Sequence, residues 1–167
     1  HGKGKFKISE YEGSKRLTCH DPSIFKDFDG TYYVFGTHMA LGSTTNLKDW
    51  TNMDARYKAT YTQEVKDQIS AWNKDSGSWY GNLWAPDIVY NEAMGKYCVY
   101  LSANGDDWKS NIVLLTSDVV TGPYDYAGSI VYGGFDETNW TETDADEILG
   151  ETELPQRYIT NGIKNEK

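Results

Sequence analysis

Thr18-Cys19-His20-Asp21-Pro22-Ser23-Ile24-Phe25 is a short apolar segment with an acid set inside it, and its surroundings recur at Trp84-Ala85-Pro86-Asp87-Ile88-Val89. Aligning the two puts Pro22 on Pro86 and Ile24 on Ile88 at an offset of 64. After one inserted residue, Gly30-Thr31-Tyr32-Tyr33-Val34-Phe35 falls on Gly95-Lys96-Tyr97-Cys98-Val99-Tyr100 at an offset of 65. A period of tens of residues marks units that bury their apolar faces against neighbours rather than alone.

Working outward, His20 to Phe25 reads as a strand, Asp27-Phe28-Asp29-Gly30 as a turn whose Asp-Gly pair suits a hairpin, and Thr31 to Phe35 as the returning strand. Leu41 to Thr45 is a third strand, closed by the turn Asn46-Leu47-Lys48-Asp49-Trp50. The second unit repeats the order with strands over Trp84–Tyr90, Lys96–Leu101 and Asn111–Thr116, then the turn-rich Thr121-Gly122-Pro123-Tyr124. Three or four short antiparallel strands per unit make a sheet-sized module of the kind that propellers repeat radially. The expected organisation is a leader over 1–17, in which Phe6-Lys7-Ile8 can add a strand, a first blade over 18–54, a long loop over 55–80, a second blade over 81–132 and an acidic connection over 133–167. The loop carries a short helix around Gln63 to Ala71, and Trp79 and Tyr80 are expected to pack near the second unit's opening strand.

The chain has 38% hydrophobic and 14% aromatic residues, including 13 Tyr and 6 Trp, too many for disorder. The formal charge of −9, from 25 acidic and 16 basic residues, argues against nucleic acid and anionic membrane as partners, since both reward clustered Lys and Arg. A neutral polysaccharide fits better. No stretch approaches the ~20 apolar residues of a membrane span, and residues 1–17 do not read as an apolar signal segment. Cys19 and Cys98 lie in apolar, strand-like runs and read as buried reduced thiols, with a disulfide as the alternative; no CxxC or Cys/His spacing points to metal. The acidic run from Asp136 to Glu153 reads as a surface loop and lacks the order of a calcium-binding EF-hand.

His20-Asp21-Pro22-Ser23-Ile24 and Leu83-Trp84-Ala85-Pro86-Asp87-Ile88 together resemble glycoside hydrolase family 43, the arabinanases, arabinofuranosidases and β-xylosidases built on five-bladed β-propellers. Gly30 to Thr37, Ser43 to Trp50 and Thr116-Ser117 to Gly122-Pro123-Tyr124 also match, so the resemblance covers about residues 18 to 130. It implies an all-β fold, this chain supplying about the first two blades and the approach to a third. It implies hydrolysis of arabinose- or xylose-containing plant polysaccharides by an inverting mechanism, with Asp21 as general base on the innermost strand of the first blade. Such chemistry sets one carboxylate to deprotonate water, ~6.5–9.5 Å from a carboxylic acid that protonates the leaving oxygen.

Further expectations attach to the substrate. By resemblance Trp84 and Asp87 line sugar-binding subsites; strand alternation puts Asp21 and Ser23 on a shared strand face, and likewise Ala85 and Asp87 on theirs, so that both acids can point to the same central cavity. The alternative for Asp87 is a carboxylate that ties neighbouring blades together. His20 is a candidate sugar contact or a buried, hydrogen-bonded structural residue, and Asn104 a further candidate contact; Trp79 and Trp108 are packing residues or stacking platforms. No cofactor is required, although the resemblance admits Ca2+ in the central channel of a complete propeller, and no metal ligands are assigned here. Secretion fits a polysaccharide hydrolase.

The sequence departs from the family pattern in lacking the Ile-Asp-Pro-like strand that adjusts the acid's pKa and the later Glu of the general acid. Five units of this period need on the order of 300 residues. The chain therefore reads as the N-terminal portion of a longer enzyme, inactive alone, with the remainder of the propeller, in the same or a second chain, as its partner. The competing readings are a non-catalytic propeller binding glycans or protein, a complementing chain of a split enzyme, and a retaining fructan-acting relative in which the first-blade Asp is a nucleophile.

Overall fold

The computed structural model describes residues 15–74, 79–80, 82–105, 109–150 and 152–153. The strand Phe6-Lys7-Ile8, Trp108 and the chain from 154 onward lie outside them. Two four-stranded antiparallel sheets follow each other in chain order. The first contains β1 (Ser23–Lys26), β2 (Tyr32–Gly36), β3 (Ala40–Thr44) and β4 (Thr51–Asn52); the second contains β5 (Leu83–Asn91), β6 (Lys96–Asn104), β7 (Ser110–Ser117) and β8 (Asp125–Gly133). Each is a meander in which every strand pairs with its chain neighbour.

Alternation drives the shared core. On β6 the side chains of Tyr97, Val99, Leu101 and Ala103 are buried on one face, and across the register Val99 meets Leu115 and Leu101 meets Val113 on β7. The same core takes Phe35 and Leu41 from the first sheet. Phe25 meets Tyr97 edge-on at 5.8 Å between centroids, and the Tyr97 hydroxyl donates to Asp27 Oδ1 at 2.6 Å, binding the first hairpin to the second sheet. Burial, reinforced by Asp27, pushes the Tyr97 phenol well up. Each large apolar side chain so buried stabilises the fold by about 1.5–3 kcal/mol relative to exposure.

The connection between the sheets is more ordered than a loop. It holds α1 (Asp54–Ala59) and α2 (Gln63–Ser70), the second capped by Thr62, whose hydroxyl accepts from Val65 N–H at 3.2 Å. Tyr57 from α1, Tyr61 from the link between the helices, and Val65 and Ile69 from α2 join the core shared with the sheets, and the Tyr61 hydroxyl donates to Tyr57 Oη at 2.8 Å. Trp72 is buried and donates from Nε1 to Gly133 O at 3.0 Å, fastening the connection to the end of β8. Trp79 packs on Tyr61 of this connection and edge-on against Tyr80, whose backbone carbonyl accepts from Leu83 N–H at the start of the opening strand.

Three expectations are corrected. The first strand starts at Ser23, so His20 and Asp21 precede it and their alternation about a strand does not exist. A fourth strand, β8, follows the Pro123 turn. Its pattern is broken by register shifts opposite Ile112/Val113 and Leu114/Leu115 and by Gly128 at φ +147°, which hid it from a period-two reading. The acidic segment is not wholly irregular either: α3 (Ala145–Leu149) and a 3-10 turn at Trp140–Glu142 bury Trp140 and Ala145 against Phe135 and Leu149.

The second sheet's other face carries apolar and polar side chains together, with Asp87, Ser102 and Thr116 on the same side as Val89 and Ile112. Val89, Ile112 and Val131 are exposed there, Val89 beside Cys98 and Ile112 beside Val131 in the register. Among the described residues no helix is long and apolar enough to cross a membrane. Cys19 and Cys98 are both free thiols; Cys98 is buried and Cys19 half-buried.

Candidate functional site

The repeat is written into the backbone as well as the sequence. Asp21 has φ +49° and its aligned partner Ala85 has φ +46°; Gly30 and Gly95 are paired in the same way at +89° and +62°. For glycine this conformation costs nothing extra, but for Asp21 and Ala85 it costs about 1–3 kcal/mol each and persists only where surrounding contacts enforce it.

At Asp21 those contacts come from Thr37, just after β2. Thr37 N–H donates to His20 O at 3.0 Å, and the Thr37 hydroxyl donates to Asp21 Oδ2 at 2.6 Å. The same hydroxyl oxygen accepts the Ala85 N–H at 2.9 Å, reaching across to the second sheet. The Asp21 side chain is otherwise exposed to solvent, as access of a water molecule to a carboxylate base requires.

A second hydroxyl joins the sheets by the same logic. Ser23 Oγ accepts the Ile88 N–H at 3.3 Å and donates to Asp87 Oδ1 at 2.7 Å. Asp87 thus makes the inter-sheet tie anticipated as its architectural role, through a side-chain hydroxyl rather than backbone donors. Its residue remains exposed.

Trp84 opens β5 with 45% of its surface exposed, on the same short stretch as Ala85 and Asp87, where a register shift between Trp84 and Asp87 bends the strand. An exposed indole here can stack on a sugar ring. His20 is exposed, and its backbone carbonyl accepts the Thr37 N–H. Asn104 ends β6 and is occupied within the fold: Nδ2 donates to Asn82 O and Ser102 Oγ, both at 3.3 Å, and its carbonyl accepts from Asn73 Nδ2 at 2.9 Å. The structure thus brings Asp21, Thr37, Ala85, Ser23 and Asp87 into one hydrogen-bonded seam, with His20 and Trp84 adjoining along the chain. Thr37 and Ser23 were missed as participants because a threonine after a strand and a serine inside one carry no sequence signal of their own.

Cys19 lies beneath this seam, its thiol pushed up by burial first and then by the nearby Asp54 and Asp21 carboxylates. Gly36 permits the approach, since a Cβ there would overlap Cys19 Sγ and stand 2.8 Å from His20 O. Among the described residues no group of three or more His, Cys, Asp or Glu is arranged to hold a metal ion.

Residues 15–165 match the profile of glycosyl hydrolases family 43. The chain is 30% identical over 132 residues to the extracellular endo-α-(1→5)-L-arabinanase 2 of Bacillus subtilis strain 168, covering 75% of this chain and 26% of that protein. It is 30% identical over 120 residues to the extracellular endo-α-(1→5)-L-arabinanase of Thermotoga petrophila, covering 69% and 24%. Among solved structures it is similar to the family 43 glycoside hydrolase YxiA of Bacillus licheniformis, at 32% identity and a TM-score of 0.59 over 74% of this chain and 28% of that one. The Thermotoga petrophila endo-1,5-α-L-arabinanase structure aligns at 26% identity and a TM-score of 0.60, over 75% and 28%. The chain spans about a quarter of the length of the curated relatives it matches. With the profile running through both sheets, the chain belongs to glycosyl hydrolases family 43, a family of propeller-fold glycosidases.

Proposed function

We propose that this chain is part of a secreted, inverting glycoside hydrolase that cleaves arabinan, with Asp21 as the general base. The observation that supports it most is the exposed Asp21 carboxylate, at the family's first motif, held by Thr37 on a backbone at φ +49°. The endo-arabinanase relatives favour arabinan over xylan as substrate. In this reading the sheets over β1–β4 and β5–β8 are adjacent blades of a five-bladed propeller, with limits near 18–54 and 81–132. The exposed Val89, Ile112 and Val131 receive the third blade of the complete protein. The general acid and the residue tuning it are supplied by that remainder, and the chain alone is inactive. Trp84, with His20 beside the base, forms the sugar-facing wall, while Asp87 acts through its tie to Ser23.

The test is incubation of the complete protein with linear α-1,5-arabinan while NMR follows the anomeric configuration of the first product. Hydrolysis with inversion is expected. Retention would assign Asp21 to nucleophilic attack instead, and glycan binding without any hydrolysis would favour the non-catalytic propeller.

A further inference from the structure

We propose that Thr37 is a positioning residue for Asp21, and that the second sheet fixes its orientation through the Ala85 N–H. The inference rests on the reading of Asp21 as the base.

Thr37 has one hydroxyl proton to give. Thr37 Oγ1 accepts the Ala85 N–H at 2.9 Å, which orients its lone pairs toward the second sheet. Its single proton is then directed to Asp21 Oδ2, at 2.6 Å. Among the described residues Asp21 Oδ1 makes no hydrogen bond, so Oδ2 is held and Oδ1 is left for water. In the hydrolytic step Oδ1 takes a proton from that water as its oxygen bonds to the anomeric carbon. The glycosidic C–O bond breaks, and the leaving oxygen takes its proton from a carboxylic acid of the complete protein.

The backbone around Thr37 is shaped to this end. His38 and Met39, the next two residues, have φ +63° and +59°, conformations that L side chains seldom adopt. Met39 is buried in the shared core and anchors the turn. Both ends of the Ala85–Thr37–Asp21 chain therefore sit on left-handed backbone, Asp21 at one and Ala85 at the other. Strain of this kind collects where geometry serves a site.

The second unit supplies an internal comparison. An offset of 65 puts Ser102 in the place of Thr37, while Ala85 stands in the place of Asp21. With no carboxylate to hold, Ser102 Oγ accepts instead from Asn104 Nδ2. The hydroxyl is paired with an acid only in the first unit.

The complete protein is prepared with Thr37→Val, Thr37→Ala, Thr37→Ser and, separately, Asp21→Asn, and each is assayed on linear arabinan with its thermal transition recorded. Val and Ala both delete the hydroxyl and differ in shape, so if Val fails to fold, Ala decides. The expected result is a kcat about 10- to 100-fold lower for both, in line with the cost of small misplacements of reacting groups, with KM within about twofold. Thr37→Ser should return kcat to within about threefold of wild type. A kcat near wild type in the Val or Ala variant, or a Ser variant as impaired as Ala, overturns the positioning role while Asp21→Asn remains inactive. An active Asp21→Asn protein instead overturns the reading of Asp21, and the inference with it.

Discussion

Ser23 Oγ donates to Asp87 Oδ1 at 2.7 Å, so two residues that the repeat makes equivalent, 64 positions apart, hold each other across the two sheets. A position that is a small hydroxyl in one unit is a carboxylate in the next, and the asymmetry creates the donor–acceptor pair. Removing the hydroxyl also takes the acceptor from Ile88 N–H. Ser23→Ala should therefore destabilise the complete protein by about 1–2 kcal/mol in urea unfolding, and a double-mutant cycle with Asp87→Asn should show coupling of about 0.5–1.5 kcal/mol. Strictly additive effects would mean that the pair contributes nothing to the docking of the sheets.

Gly36 is required by what lies over it rather than by its own dihedral angle. A Cβ there would strike Cys19 Sγ and crowd His20 O at 2.8 Å. Gly36→Ala should cost about 1–3 kcal/mol by overpacking. Adding Cys19→Ala should restore only part of it, since the His20 carbonyl stays in place. Full recovery in the double variant would show that the sulfur is the whole obstacle.

The thiols should be slow to react. Burial raises the pKa of Cys98, and burial together with the Asp54 and Asp21 carboxylates raises that of Cys19, so each has less thiolate than a free cysteine at pH 8. Iodoacetamide labelling followed by mass spectrometry should show both sites modified at least tenfold more slowly in the native protein than in urea, accelerating as pH rises above 9. Native labelling at the unfolded rate would contradict this placement.

Asp49 gives a pH dependence with a definite sign. Its carboxylate accepts from Asn46 Nδ2 at 2.9 Å and from Lys15 N–H at 3.2 Å, and these bonds lower its pKa, the Asn46 bond most. A folded pKa below the unfolded one contributes stability that is present above the unfolded value, about 3.9, and is lost as pH falls through the lowered folded value. An NMR titration should place the Asp49 midpoint below that of a model peptide, and Asp49→Ala should remove this part of the acid dependence. A midpoint at or above the peptide value would contradict these bonds.

The sequence made the repeated meander legible because side-chain alternation and turn chemistry coincide in it. Gly30 and Gly95 mark matching hairpins, and Tyr97, Val99 and Leu101 alternate onto one buried face. The α2 helix was also legible, as a short helix around Gln63 to Ala71; the structure adds Thr62 as its cap and Val65 and Ile69 as its buried side. The seam at Asp21 did not. The motif gave the acid, but continuing a strand back through His20 assumed extended backbone where Asp21 is left-handed, and no local pattern distinguishes the two. The Thr37 hydroxyl meets Asp21 through a turn with no regular period, and its bond to Ala85 N–H and that of Ser23 to Asp87 form only when the sheets dock, 48 and 64 residues apart in sequence. For β8 the reason is different: its bulges break the periodicity that made the other strands visible.

The most direct test of the central claim is the turnover of linear arabinan by the complete protein with Asp21→Ala, compared with wild type under matched conditions. If Asp21 is the general base, kcat should fall by about 10²–10⁴-fold while the thermal transition and arabinan binding are retained. A folded Asp21→Ala protein that turns over arabinan within threefold of wild type would contradict it.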